Sequence, residues 1–132
     1  MLITTKGTFE KLDNYTLRIN LAFPTIYLDK FDYKISIRSI SFEAAKPFPA
    51  SRISVCTTAV DKNALNPDQE ILSFVPSRPY VFVNPRTPYE YKIQLKDVHT
   101  AEFFLTSEKT VDLIEANNCH IIFEITRDAR IQ

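Results

Sequence analysis

The sequence predicts an all-β fold: a single-domain antiparallel β-sandwich, wired as a jelly roll of about eight strands. Three observations predict it. Short runs alternate apolar and polar side chains with a period of two, as in Tyr89-Glu90-Tyr91-Lys92-Ile93-Gln94-Leu95-Lys96 and Tyr15-Thr16-Leu17-Arg18-Ile19-Asn20-Leu21. Successive side chains leave a pleated strand on opposite sides, so this period marks a strand with one buried and one wet face. Gly7 is the only glycine against eight prolines. Tight two-residue hairpins want positive φ, hence glycine, so this chain uses longer connections built on Pro, Asn and Asp. Long crossings between irregularly spaced strands fit Greek-key or jelly-roll wiring better than a meander.

Taken in order, residues 2–5 and 8–10 predict a short edge strand, and residues 14–22 a strand with Tyr15, Leu17, Ile19 and Leu21 inward. Pro24 interrupts it, residues 25–28 resume in extended form, and residues 29–32 turn. Tyr33–Glu43 is the longest strand. Its apolar phase switches from Tyr33, Ile35 and Ile37 to Ile40 and Phe42, which predicts either a bulge near Arg38-Ser39 or a strand passing between sheets. A proline-punctuated loop at 44–50 precedes a strand at 52–60 with Ile53 and Val55 inward. Residues 61–68 form a polar loop carrying the turn signal Asn66-Pro67. Further strands are expected at 69–75, Tyr80–Val83, 89–96 and 101–106. Residues 107–116 read as a helix capped by Ser107 or as a strand and loop. The last strand is Cys119–Arg127, with Cys119, Ile121, Phe123 and Ile125 inward. The ends, 1–6 and 128–132, read as short arms able to reach a neighbour.

The 132 residues are 45% hydrophobic and include ten Phe and six Tyr, enough for a core without metals or disulfides. Sixteen basic residues balance sixteen acidic ones, which argues against a specific nucleic-acid partner. Two cysteines make no disulfide framework and suit a reducing compartment: Cys119 reads as a small buried hydrophobe, and Cys56, out of phase with Ile53 and Val55, as outward-facing. The first residues lack the apolar region of a signal peptide, and no stretch approaches the ~20 apolar residues of a membrane helix. The expectation is a chain that is cytoplasmic or nuclear where it is made, with no membrane partner.

Catalytic chemistry finds little to stand on, and the expectation is no enzyme, no cofactor and no metal. His99 reads as part of a surface turn. His120 and Glu124 share one strand face at about 13 Å by strand rise, too far apart for a common metal ion. Asp29 and Asp32 bracket a turn, with Lys30 between them disfavouring calcium. One glycine rules out a G-x-S-x-G elbow, a P-loop and a dinucleotide fingerprint. Large apolar residues on outward phases are more telling, because exposed apolar patches mark partner surfaces. Ile40, Phe42, Tyr80, Phe82 and Ile122 are the candidate interface positions, the other reading being that they pack into the sandwich on strands covered on both sides; Arg18, Lys34, Arg38 and Lys92 read as rim ion-pair formers or as single solvated charges. The alternative is a monomeric carbohydrate- or protein-binding sandwich, with Tyr27, Tyr80, Tyr89 and Tyr91 offering ring faces to a sugar.

The order of segments resembles the single jelly-roll minor capsid (penton-type) proteins of Polinton/Maverick-like elements and related large DNA viruses. The resemblance rests on Tyr15 to Leu21, Pro24, the extended piece Ile26 to Leu28, the turn at 29–32, the Tyr-x-Ile-x-Ile strand Tyr33-Lys34-Ile35-Ser36-Ile37, and the closing Ile121-Ile122-Phe123-Glu124-Ile125-Thr126. It covers the first forty or so residues and the last ten. It implies a structural jelly roll that associates with copies of itself around a symmetry axis, pentamers being the suggested form, alongside a major capsid protein, and it implies a virion location.

Overall fold

The computed structural model describes residues 1–43, 52–76, 78, 80–108 and 119–128. Among them, nine strands run in chain order: β1 (Leu2–Lys11), β2 (Thr16–Leu21), β3 (Tyr33–Glu43), β4 (Ile53–Thr57), β5 (Glu70–Phe74), β6 (Tyr80–Val83), β7 (Tyr91–Lys92), β8 (Phe103–Ser107) and β9 (Cys119–Arg127). The hydrogen-bonded order is β5-β4-β8-β2-β1-β9-β3-β6, with β7 also paired to β3. Every pairing is antiparallel. Divided between β2 and β1, this order gives two four-stranded sheets, β5-β4-β8-β2 and β1-β9-β3-β6. Among hydrogen-bonded neighbours only β1–β2 and β4–β5 are consecutive in sequence; of the other connections, β6 to β7 stays beside β3, and β2 to β3, β3 to β4, β5 to β6, β7 to β8 and β8 to β9 cross between the sheets. That wiring is a jelly roll, and it agrees with the sequence prediction.

The two sheets face each other across aromatic side chains. Phe103 of β8 and Phe123 of β9 sit with ring centroids 5.2 Å apart, and Phe23 packs on both at 6.0 and 5.6 Å. Phe42 of β3 meets Phe9 of β1 at 5.4 Å and Phe74 of β5 at 6.3 Å. Around these lie Ile3, Leu17, Ile19, Ile35, Ile37, Ile53, Val55, Leu105, Ile121 and Ile125 in one core. The buried Thr5 is satisfied there by donating its hydroxyl to the Ile121 carbonyl at 2.9 Å; an unpaired hydroxyl at that depth costs about 1–3 kcal/mol.

The lone glycine occupies the corner that joins the sheets. Residues 2–7 of β1 pair with β9, and residues 7–11 pair with β2. Gly7 belongs to both ladders. A Cβ there would lie 2.6 Å from the Asn20 carbonyl oxygen and 2.8 Å from Leu21 Cδ2, so close approach of backbone, not positive φ, requires glycine.

The structure settles the phase switch in β3. The β3–β9 register shifts between Ile37 and Ser39: a bulge inserts Arg38, and the extra residue turns Ile40 and Phe42 to the same inner side as Ile35 and Ile37.

Three expectations are corrected. Residues 1–6 are not an arm, and β1 is not an edge: it lies between β2 and β9, with the Met1 ammonium donating to the Ile125 carbonyl at 2.9 Å. The alternating run at 89–96 contributes only the two residues of β7 to a ladder. Pro88 has no N–H to give, and after Ile93, whose N–H still donates to the Tyr33 carbonyl at 2.9 Å, the chain leaves β3: Ile93 bridges to Val60 and the Gln94 N–H donates to the Ala59 carbonyl at 2.9 Å. Tyr15 lies just outside β2 and is exposed. The expectations for 44–50 and 129–132, and most of 107–116, lie outside the described residues.

Candidate interaction surfaces

The five candidate interface residues separate into two groups. Ile40 and Phe42 are buried, 0% and 2% exposed, and belong to the core for the reason just given. Tyr80 and Phe82 alternate outward on β6, 60% and 61% exposed, while Val81 between them is buried. Ile122 is half-buried on the outer face of β9, opposite Thr4 on one side and Ser39 on the other. The outer row that carries Phe82 continues through Ser41, His120 and Lys6. The middle of this face therefore consists of Thr4, Ser39, Ser41, His120, Ile122 and Phe82: small hydroxyls, an exposed imidazole and two large apolar groups.

The cations predicted for the rim are all paired within the chain. Arg38 meets Glu124, Arg18 meets Glu10 at 3.6 Å, Lys34 meets Glu90 at 3.9 Å and Lys92 meets Asp32 at 4.0 Å. These pairs are partly solvated and each is worth under about 1 kcal/mol, but they leave the exposed aromatics of β6 as the distinctive feature of the sheet. Beside β6 runs a groove of about 370 Å³ lined by Phe74, Val75, Pro76, Arg78 and β6 itself. Val75 is 62% exposed.

The four tyrosines do not assemble into one platform. Tyr27 packs edge-on against His99, centroids 5.0 Å apart, and His99 Nδ1 lies 3.1 Å from the Ile26 carbonyl oxygen. Tyr80 is on β6. Only Tyr89 and Tyr91 come together, with centroids 4.7 Å apart and planes at 54°. They border a cleft of about 660 Å³ whose far wall is the 61–68 loop. Burial raises the Tyr91 phenol above its ordinary range, helped by the Glu70 carboxylate nearby.

A second hollow, about 550 Å³, lies over the outer faces of β4 and β8 and shares Arg52, Asp68 and Glu70 with the tyrosine cleft. The Arg52 guanidinium donates to both Glu70 carboxylate oxygens at 2.7 and 2.6 Å. Cys56 faces this hollow from the outer phase of β4, as expected, yet is only 7% exposed. Burial pushes its thiol up to about 11, which keeps it protonated and weakly nucleophilic near neutral pH. Cys119 is buried on the inner face of β9, and burial pushes it to about 12.

The turn at 29–32 is capped by Asp29. Asp29 Oδ1 accepts the Phe31 N–H at 3.0 Å and the Tyr33 hydroxyl at 2.9 Å. The Phe31 hydrogen bond is the main cause of the lowered Asp29 pKa. Among the described residues, no three His, Cys, Asp or Glu side chains form a group able to hold a metal ion, and no helix is long and apolar enough to cross a membrane. Compared with models of protein families and with characterised proteins, the sequence matches none.

Proposed function

We propose that this chain is a structural subunit that assembles with copies of itself through lateral contacts, as a minor capsid protein of penton type does. The observation that carries the reading is the exposure of Tyr80 and Phe82 on β6, which among the described residues is an edge strand with β3 as its only strand neighbour. Soluble proteins normally blunt an edge with Lys, an inward charge, a bulge or a covering segment. The sequence Tyr-Val-Phe-Val carries no charge at all and is only four residues long. Each ring removed from water contributes at about 25 cal/mol per Å² of apolar area. A stable contact also has to offset lost translational and rotational freedom, and it typically covers about 800 Å² per partner. Two rings do not supply that area. The contact therefore extends from β6 to Val75 on one side and across the hydroxyl-lined face to Ile122 on the other.

Sedimentation velocity over a wide concentration range tests this. The expected result is a species at a multiple of the 15.3 kDa chain mass that dissociates in the Tyr80→Lys/Phe82→Lys double variant without change in far-ultraviolet circular dichroism. A parent chain that stays at its monomer mass at every concentration overturns the reading.

A further inference from the structure

We propose that the cleft bordered by Tyr89 and Tyr91 is a separate binding site for neutral or amino-bearing sugar units of a glycan.

One wall is a held aromatic platform. Tyr91 is fixed by β7, which pairs with β3 at Ile35 and Lys34, and packs against the core. Its ring buttresses Tyr89, which remains 71% exposed. A ring already held in place gives up little side-chain freedom on binding. Its face carries the negative side of the aromatic quadrupole, complementary to the weakly positive C–H face of a pyranose.

The opposite wall is fixed without a single glycine. Asn63 Oδ1 accepts the N–H groups of Leu65 and Asn66 at 2.9 and 3.0 Å. The Asn66 amide clasps both backbone groups of Glu70, at 2.9 and 3.0 Å. Gln69 and Gln94 each donate a side-chain N–H to the Val60 carbonyl, at 2.8 and 2.9 Å. Gln69 itself holds a left-handed backbone, φ 55°, at a cost of about 1–2 kcal/mol for a residue with a Cβ, which these clasps offset. The volume, about 660 Å³, falls within the usual range for ligand sites.

Charge decides the class of sugar. Asp61, Asp68, Glu70 and Glu90 line the cleft against Arg52 and Lys92. Glu70 engages Arg52, and Asp32 lies near Lys92. Asp61 and Asp68 form no ion pair with, and accept no hydrogen bond from, any described residue. Two carboxylates with no such partner among the described residues are good acceptors for sugar hydroxyls and repel uronic, sialic and sulfated units. The rings touch each other and offer chiefly one outer face, which is a platform for stacking. A cage for an organic cation needs several ring faces turned toward one centre.

This site does not depend on the self-assembly reading. On β3, the partner of Tyr91 is Ile35 and the partner of Phe82 is Ser41, about 20 Å apart at strand rise.

The test titrates the full chain with cellotetraose, chitotetraose, N-acetyllactosamine, chitosan tetramer and, as the anionic counterpart, tetragalacturonate, by calorimetry and ¹H–¹⁵N NMR. At least one of the first four is expected to bind at millimolar concentration or below, with shifts centred on 61–68 and 89–92. Tetragalacturonate should bind at least tenfold more weakly. Tyr89→Ala and Asp61→Asn should each weaken binding several-fold, and Tyr80→Lys/Phe82→Lys should leave it unchanged. Failure of all four sugars to bind overturns the proposal, as does binding indifferent to both cleft variants. Displacement of the bound sugar by tetramethylammonium at equal concentration would make this a cation site and overturn it too.

Discussion

β9 and β6 carry the same alternation and put it to opposite use. In β9, Cys119, Ile121, Phe123 and Ile125 all turn inward, none more than 2% exposed, and the strand is hydrogen-bonded on both sides, to β1 and β3. In β6 the small Val81 is buried and the larger Tyr80 and Phe82 point outward, on a strand that among the described residues is paired only to β3. A central strand is fixed by two ladders and one core, so its register decides which residues the core receives. An edge strand is held by one ladder, and here the bulkier residues of the pair of phases are left to water. Ring size and hydrophobicity alone do not settle burial; the face of the strand a residue occupies does, so that Val81 is buried on β6 while Leu2 is 66% exposed on the central β1.

The largest effect expected from this contrast is at Phe123. It is fully buried, with the Phe103 and Phe23 rings at 5.2 and 5.6 Å, and it joins the two sheets. Phe123→Ala removes the ring and leaves a cavity bounded by two β-strands that cannot close on it, so urea unfolding should show a loss of about 3–5 kcal/mol. A loss under about 1 kcal/mol would mean that the sheets are not packed through this ring.

Next comes the pH response of the β9 thiol. Burial raises Cys119 from an ordinary 9.0 to about 12 and Cys56 to about 11. The folded chain therefore holds these protons where the unfolded chain has lost them. Their contribution to stability is whole below pH ~9 and declines as pH rises through the folded values. In alkylation at pH 8, the native Cys119 thiolate fraction should be on the order of a thousandfold below that of the unfolded chain. Iodoacetamide should label Cys119 only as fast as the protein opens; labelling at the rate of a free thiol would place it outside the core.

Much of the fold is written in local pattern. The bulge in β3 is legible because Tyr33, Ile35 and Ile37 share one parity and Ile40 and Phe42 the other. The same parity change made Ile40 and Phe42 look like surface positions, since a bulge and an outward face give one signature until register with β9 is known. The centrality of β1 is not legible: its alternation is ordinary, and its two partners are Leu17 to Leu21, just downstream, and residues more than a hundred positions away. β7 fails for the reverse reason, since eight alternating residues promise a ladder that only two supply. The tyrosine pair follows from i, i+2 spacing, which puts Tyr89 and Tyr91 on one side. Its facing loop does not, because the bridge from Val60 to Ile93 joins segments unrelated in sequence.

The smallest effect on stability is expected at Phe82, and it bears most directly on function. Phe82→Thr puts a β-branched, strand-favouring residue in place of the aromatic one and removes a ring that is 61% exposed. Measured where parent and variant are both monomeric, unfolding free energy should shift by no more than about 0.5 kcal/mol. The same substitution should raise the concentration needed for assembly, because the ring's contribution is made against a second copy and not against its own core. The two measurements divide the stability of the chain from that of the contact. A Phe82→Thr monomer destabilised by several kcal/mol would make β6 a core strand like β9 and remove the basis for a partner. A monomer of parental stability that no longer assembles would locate the adhesive surface on this edge.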